Sequence, residues 1–164
     1  DDWWENGKLL LQLDTLHETG RVLCSTGREL MNYDGTPAGK YIPVKETVSY
    51  RDLLKHNSIN CSSVLLLRDV AAEFPMEHDD SHEDYITWLK ILKKTDYCYG
   101  MEEVLGTYRM GRAGSVSSNK LKQAKYHWQL YHEIEGHSVL RSLYEVGCWA
   151  WVKGTGIGID KRKV

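Results

Sequence analysis

The sequence predicts an α/β fold ending in two helices, and three observations carry that prediction. Ser63-Val64-Leu65-Leu66-Leu67-Arg68 is a nearly continuous apolar run, as expected for a strand buried on both faces. Tyr85-Ile86-Thr87-Trp88-Leu89-Lys90-Ile91-Leu92 has the spacing of an amphipathic helix. Strand-like and helix-like segments alternate along the 164 residues.

The elements follow in chain order. Asn6 is a candidate cap for a helix carrying Leu9, Leu10, Leu13 and Leu16, with Gly20 closing it. Residues 21–25 and 29–33 read as two short strands. Asp34-Gly35 follows them as a hairpin signal before a further extended run at Tyr41–Val44. Ser49 caps a short helix over residues 50–55, and a second short helix covers residues 69–74. Residues 97–99 and 104–109 read as extended segments, and 111–118 as a loop. One terminal helix carries Leu121, Ala124, Trp128 and Tyr131. The other carries Val139, Leu140, Leu143, Tyr144, Cys148 and Trp151, with Gly147 inside it and Gly154–Gly158 ending it.

Composition narrows the function. Hydrophobic content of 41% supports a packed core, and a net charge of −2 argues against non-specific nucleic-acid binding, which needs a basic excess. Cys24, Cys61, Cys98 and Cys148 form no C-x-x-C pair, so buried, reduced thiols are expected rather than a disulfide framework or zinc site. No apolar run reaches membrane-spanning length. The opening Asp1-Asp2-Trp3-Trp4, without an initiator methionine, reads as the start of a fragment.

The densest chemistry lies between His78 and Asp84, with two histidines and four carboxylates. Three readings stay open here. Ser81-x-x-Asp84 fits a capping box, with acids suiting the first turn of a helix. His78, Asp79, Asp80 and His82 fit metal ligands of a hydrolase. One carboxylate at the helix start fits a general base: like charges nearby raise its pKa and the helix N-terminus lowers it.

Taken together the segments resemble the family 2 glycosyltransferases of GT-A type. Asp1-Asp2-Trp3-Trp4 with Lys8-Leu9 and Gln12-Leu13 matches the second half of that family's D-x-D-D metal motif. Leu53–Ile59 with Ser62-Ser63-Val64 resembles the segment before the acceptor site. Glu83-Asp84-Tyr85 with Trp88-Leu89 resembles its E-D-x-x-x-W-L motif, and Leu105–Arg109 with Ser115–Lys120 its L-x-x-Y-R segment.

The resemblance implies the C-terminal part of a GT-A fold, a mixed sheet flanked by helices. Residues 1–118 would form the acceptor side of the catalytic domain and residues 119–164 a helical extension. It implies inverting transfer from a nucleotide-sugar donor to a saccharide or lipid-linked acceptor, in polysaccharide or glycan synthesis. Asp1 and Asp2 would bind Mg²⁺ or Mn²⁺. Asp84 would be the catalytic base, with Glu83 shaping the acceptor pocket and His82 contacting the acceptor; Trp88 would either offer its ring to a sugar face or belong to the core. Tyr108 and Arg109 would meet the donor diphosphate, where an arginine fork suits phosphate oxygens. Where many members carry a metal-binding histidine, this chain has Gly111 followed by Arg112, so either the metal has fewer protein ligands or Arg112, a candidate donor contact, supplies positive charge instead. A cytoplasmic placement is implied, with peripheral association at the inner membrane face. A non-catalytic saccharide- or partner-binding fragment is the alternative from another class.

Overall fold

The computed structural model describes residues 2–77, 82–110, 120–156 and 160–161. Its centre is a parallel pair of strands, β2 (Leu23–Met31) and β6 (Cys98–Arg109). Each sequence-level pair of short strands on either side of a polar interruption turns out to be one long strand. The interruptions at Thr26-Gly27 and Met101–Val104 are where the β2–β6 register shifts, so the ladder absorbs them as irregularities instead of ending.

The two central strands have neighbours on both sides. β5 (Val64–Leu66) and β3 (Pro37–Ile42) pair antiparallel with the first and second halves of β2. β4 (Thr47–Val48) and β1 (Trp3–Trp4) pair antiparallel with the start and end of β6. β7 (Asp160–Lys161) adds to the outer edge of β3, giving a seven-stranded mixed sheet among the described residues. The Asp34-Gly35 hairpin forms as predicted. Gly35 takes φ 91°, and Asp34 Oδ1 accepts from Thr36 N at 2.9 Å and Thr36 Oγ1 at 2.7 Å. β5 is shorter than the apolar run predicts and only half-buried, because it joins β2 at one end of the sheet.

Strand alternation sends neighbouring side chains to opposite faces. Leu23 and Cys98 enter one core with Val48, Leu53, Tyr85, Leu89 and Ile91; Cys24 and Met101 enter a smaller one under Leu16. The first face is covered by α2 (Tyr50–Lys55) and α4 (Glu83–Leu92), the second by α1 (Lys8–Thr19). Ser49 and Asp52 close a full capping box on α2. At its other end, Tyr85 Oη donates to the Leu53 carbonyl at 2.7 Å and Tyr131 Oη to that of Leu54 at 2.9 Å. Two carbonyls of α2 that its last turn leaves open are thus satisfied inside the core. A third short helix, α3 (Arg68–Glu73), follows β5. Of the cysteines, Cys24 and Cys98 are buried, Cys148 is half-buried and Cys61 is exposed.

Three helices have the predicted period but the opposite orientation. In α1 the buried positions are Lys8, Gln12 and Leu16, while Leu9, Leu10 and Leu13 face outward. Gly7, at φ 86°, rather than Asn6, caps it. The buried polar pair is self-satisfying: Lys8 Nζ donates to Gln12 Oε1 at 2.6 Å and lies 4.1 Å from the Trp4 ring centroid. Gln12 Nε2 in turn donates to the Ser63 carbonyl at 2.9 Å.

α5 (Lys120–Gln129) runs into a π turn at Leu130–Ile134 and buries Gln123 and His127, leaving Leu121 exposed. α6 (Val139–Thr155) includes Gly147, ends at Gly156, and buries Ser142 and Glu145. Glu145 accepts from His137 Nδ1 at 2.7 Å and Arg141 Nε at 3.1 Å. Glu135 binds the Tyr50 hydroxyl and pairs with Lys93 Nζ at 2.7 Å, tying this end of the chain to α2 and α4.

Gly100 permits the close approach of the segment before β4. Its N–H donates to the Glu46 carbonyl at 2.7 Å, and an added methyl would overlap the Lys45 carbonyl. Backbone cannot yield there as a side-chain tip can, so Gly100→Ala should destabilise by about 1–3 kcal/mol, a melting shift of several degrees. Gly106→Ala, whose methyl would lie 3.6 Å from the nearest atom, should cost far less. Equal melting temperatures for the two variants would contradict this account.

Candidate functional site

The site begins at the chain's first described residue. β1 holds Asp2 beside the end of β6 through the pairs Trp3↔Thr107 and Trp4↔Gly106. Asp2 Oδ1 accepts from the Arg109 backbone N–H at 3.2 Å, and Oδ2 accepts from Ser62 Oγ at 2.6 Å. Ser62 belongs to a 3₁₀ turn, Cys61–Ser63, which Asn60 caps by accepting from Ser62 N at 3.1 Å. Trp4 Nε1 donates to the Ser62 carbonyl at 2.6 Å, so the turn and β1 fix each other. A small pocket opens here, with Asp2, Arg28, Ser62 and Tyr108 in its lining.

Tyr108 therefore lines the same small pocket as Asp2. Arg109 meets Asp2 through its backbone, and its Nη1 reaches the Tyr33 carbonyl at 3.5 Å. Asp1 and Arg112 lie outside the described residues, as do His78, Asp79 and Asp80 of the hydrolase reading. Among the described residues no group of three His, Cys, Asp or Glu side chains is arranged to hold a metal. Asp2 offers one carboxylate whose two oxygens keep lone pairs after their single hydrogen bonds. One carboxylate plus substrate phosphates is a usual set for Mg²⁺, so Asp2 fits that role.

Asp84 sits in the first turn of α4, and its Oδ1 accepts from the Tyr85 N–H at 2.7 Å. Burial raises its pKa above the ordinary carboxylate value and the exposed Glu83 adds to the rise, while the backbone N–H opposes it. The Cys61 thiol is pushed up first by desolvation, then by the charges of Asp84 and Glu83. The acidic start of α4 thus lies within electrostatic reach of the same turn that holds Asp2. Asp84 lines neither the small pocket nor the larger cleft described below.

Two neighbouring expectations change. His82 caps α4 in the left-handed conformation, φ 68°, without a side-chain capping bond; Ser81 of the capping-box reading lies outside the described residues. Trp88 is 2% exposed and belongs to the core, so its ring face is spent on packing and not presented to a saccharide.

A cleft of about 600 Å³ opens beyond Arg28. The 42–45 segment, residues 56–58, His82, and the inner faces of α5 and α6 form its walls. His127 is buried in it, its ring 4.5 Å from that of Trp149 and 4.6 Å from that of His82. Its Nδ1 lies 2.9 Å from the Gln123 carbonyl, so in the neutral ring Nδ1 carries the proton. The C-terminal helices therefore build a wall of the site as well as packing on the core.

Arg28 is the residue that sequence reasoning missed. It lines both the small pocket and the cleft, and its buried Nε has no hydrogen-bond partner among the described residues. Desolvation pulls its pKa down while the charges of Tyr108 and Asp2 act in the opposite sense. The available signal was a lone arginine inside a strand, hidden by reading residues 21–33 as two strands.

Burial lowers the His127 pKa from 6.5 to about 4, with the charges of His82 and Lys153 adding to the effect. An unfolded chain takes up this proton at higher pH than the folded one. The stability contribution is therefore intact above about pH 6.5 and lost as pH falls toward 4, by about 3 kcal/mol in all. His127→Gln should flatten the pH dependence of thermal unfolding over that window. An unchanged pH slope in the variant would refute the assignment.

No protein-family model matches the chain. Curated relatives do match it. A glycosyltransferase named for teichuronic acid biosynthesis, TuaG of Bacillus subtilis, is 37% identical over 162 residues, 99% of this chain and 62% of the relative. Two proteins of Escherichia coli, WfgD and WfaP, are each named as a UDP-Glc:alpha-D-GlcNAc-diphosphoundecaprenol beta-1,3-glucosyltransferase. WfgD is 29% identical over 147 residues (88% of this chain, 56% of the relative). WfaP is 32% identical over 123 residues (75% and 47%). The chain's relatives are thus glycosyltransferases of polysaccharide and glycan biosynthesis, and the chain spans about half to three fifths of their length.

Proposed function

We propose that this chain is the acceptor-side part of a family 2, GT-A type glycosyltransferase that moves a sugar from a nucleotide-sugar donor to an acceptor hydroxyl with inversion. The observation that carries the reading is the convergence on one turn, Cys61–Ser63. Asp2 is hydrogen-bonded to Ser62, and the half-buried Asp84 acts electrostatically on Cys61. The names of the relatives support the same class of reaction.

In this reading Asp84 accepts the proton of the acceptor hydroxyl as that oxygen attacks the anomeric carbon of the donor sugar. Its raised pKa makes it a stronger base than an exposed aspartate, and its hydrogen bond to the Tyr85 N–H fixes the carboxylate. Glu83 maintains the negative field beside it. Asp2 would hold a divalent cation, Mg²⁺ or Mn²⁺, which when bound stabilises charge on the departing nucleoside diphosphate. Tyr108 and Arg109 border the diphosphate. Orientation of donor and acceptor supplies a large share of the acceleration.

The acceptor is proposed to be lipid-linked, as in the names of WfgD and WfaP. Among the described residues no helix is long and apolar enough to cross a membrane. α6, however, presents Leu140 (81% exposed), Leu143, Tyr144 and Trp151 (68% exposed) to its surroundings. Such a stripe suits adsorption to a lipid surface. The leucines exposed on α1 fit a packing surface for the additional sequence that the relatives possess.

Asp84→Asn in the full-length protein should lower kcat by about 10²–10⁴-fold with the melting temperature retained. Near wild-type transfer by a folded variant would remove Asp84 from the base role. For the membrane face, the pair Leu140→Glu and Trp151→Glu should abolish co-flotation with phosphatidylglycerol vesicles. Undiminished flotation would rule out α6 as the contact.

A further inference from the structure

Arg28 stands inside the central ladder, between the pairs Gly27↔Val104 and Glu29↔Thr107. Its side chain lines the small pocket together with Asp2 and Tyr108. Both neighbours act on the guanidinium through charge and neither through a hydrogen bond. Arg28 Nε is buried and has no hydrogen-bond partner among the described residues. Asp2 is committed elsewhere, since Oδ1 accepts from the Arg109 N–H and Oδ2 from Ser62 Oγ.

Opposite charges in one small pocket normally close into an ion pair, because a desolvated guanidinium without an acceptor is costly. Here each charge is fixed by its own element. β2 carries the arginine, while β1 and the Cys61–Ser63 turn hold the aspartate. A guanidinium with an open Nε and a carboxylate with open lone pairs, lining one space, suit an anion that accepts from the first and shares a divalent cation with the second. Arg28 is also the one described residue of this pocket that lines the larger cleft, whose wall includes His82 at the start of α4. It thus stands on the side of the pocket that opens toward the helix start carrying Asp84.

We propose that Arg28 is a substrate-binding catalytic residue, whose guanidinium forks the sugar-bearing phosphate of the nucleoside diphosphate donor. The inference rests on the transferase reading and adds to it the residue that recognises the leaving group. During transfer the acceptor oxygen bonds to the anomeric carbon and its proton passes to Asp84. The bond from that carbon to the phosphate oxygen breaks with its electron pair on the oxygen. The diphosphate therefore gains negative charge at the phosphate that Arg28 contacts, where a fixed cation stabilises the transition state. Arginine suits the position: its planar fork matches two phosphate oxygens, and it stays charged where a desolvated lysine would shift toward neutrality. Binding also satisfies the Nε that the protein itself leaves open.

The test uses the full-length protein in Mg²⁺ buffer, with calorimetry as readout. UDP, GDP, ADP, CDP and dTDP are the probes, and the tightest binder is compared with its own nucleoside monophosphate. Arg28→Gln should weaken the diphosphate about ten- to hundredfold, as for loss of one charge-assisted contact, and change monophosphate affinity by less than about twofold. Arg28→Lys, which keeps a charge without the fork, should fall between wild type and Arg28→Gln. Ligand-free Arg28→Gln should melt no lower than wild type, because the substitution removes a desolvated charge that no described group pairs. Equal diphosphate affinity in wild type and Arg28→Gln, an equal loss for the monophosphate, or a lowered melting temperature would each overturn the proposal. Failure of every nucleoside diphosphate to bind the wild type would instead overturn the transferase reading, and the proposal with it.

Discussion

The parallel pairing of β2 with β6 is the constraint on which the rest of this molecule depends. It runs from Cys24↔Tyr99 to Met31↔Arg109 and decides which chemistry-bearing residues become neighbours. Arg28 on β2 and Tyr108 on β6 reach one small pocket because these strands lie side by side. β1 then adds to the far side of β6 and delivers Asp2 to the Arg109 N–H. Parallel strands cannot be joined by a tight turn, and the connection from β2 to β6 carries everything from β3 to α4. Within that crossover lie the Cys61–Ser63 turn, which donates to Asp2, and the acidic start of α4.

The electrostatics divide into two territories separated by Arg28. On one side Asp2 accepts from Ser62, and the charges of Asp84 and Glu83 act on the Cys61 thiol of the same turn. On the other the cleft collects cations and imidazoles, with no carboxylate among the described residues that line it. Where these groups are desolvated their charges act more strongly, because the dielectric screening of water is reduced. A buried guanidinium at the boundary keeps its charge under these conditions, whereas a lysine there would shift toward neutrality.

The inverted helices follow from the same arrangement. α1, α5 and α6 all place polar residues inward, namely Lys8 and Gln12, Gln123 and His127, and Ser142 and Glu145. Each group has a specific inward partner, such as the Ser63 carbonyl for Gln12 and His137 for Glu145. Apolar side chains at the opposite positions are left outside. An isolated amphipathic pattern gives the period of a helix, and the assumption that its apolar stripe faces the core fails where the helix serves a polar site.

Local sequence chemistry by itself determined the element types, the Asp34-Gly35 hairpin, the Ser49 capping box and the Gly20 helix end. Each depends on interactions within a few residues, so a linear reading captures it. The order of short motifs pointed to a glycosyltransferase, the class to which the relatives belong, and named Asp2, Asp84 and Tyr108 as candidates. Only tertiary structure decided that four short extended segments are two long strands, that Trp88 belongs to the core, and that Arg28 faces both cavities. Those outcomes depend on contacts between residues dozens of positions apart, such as Arg28 with Tyr108 and Asp2 with Ser62. Burial and charge at such meeting points arise from the assembled sheet, and no window of the sequence contains them.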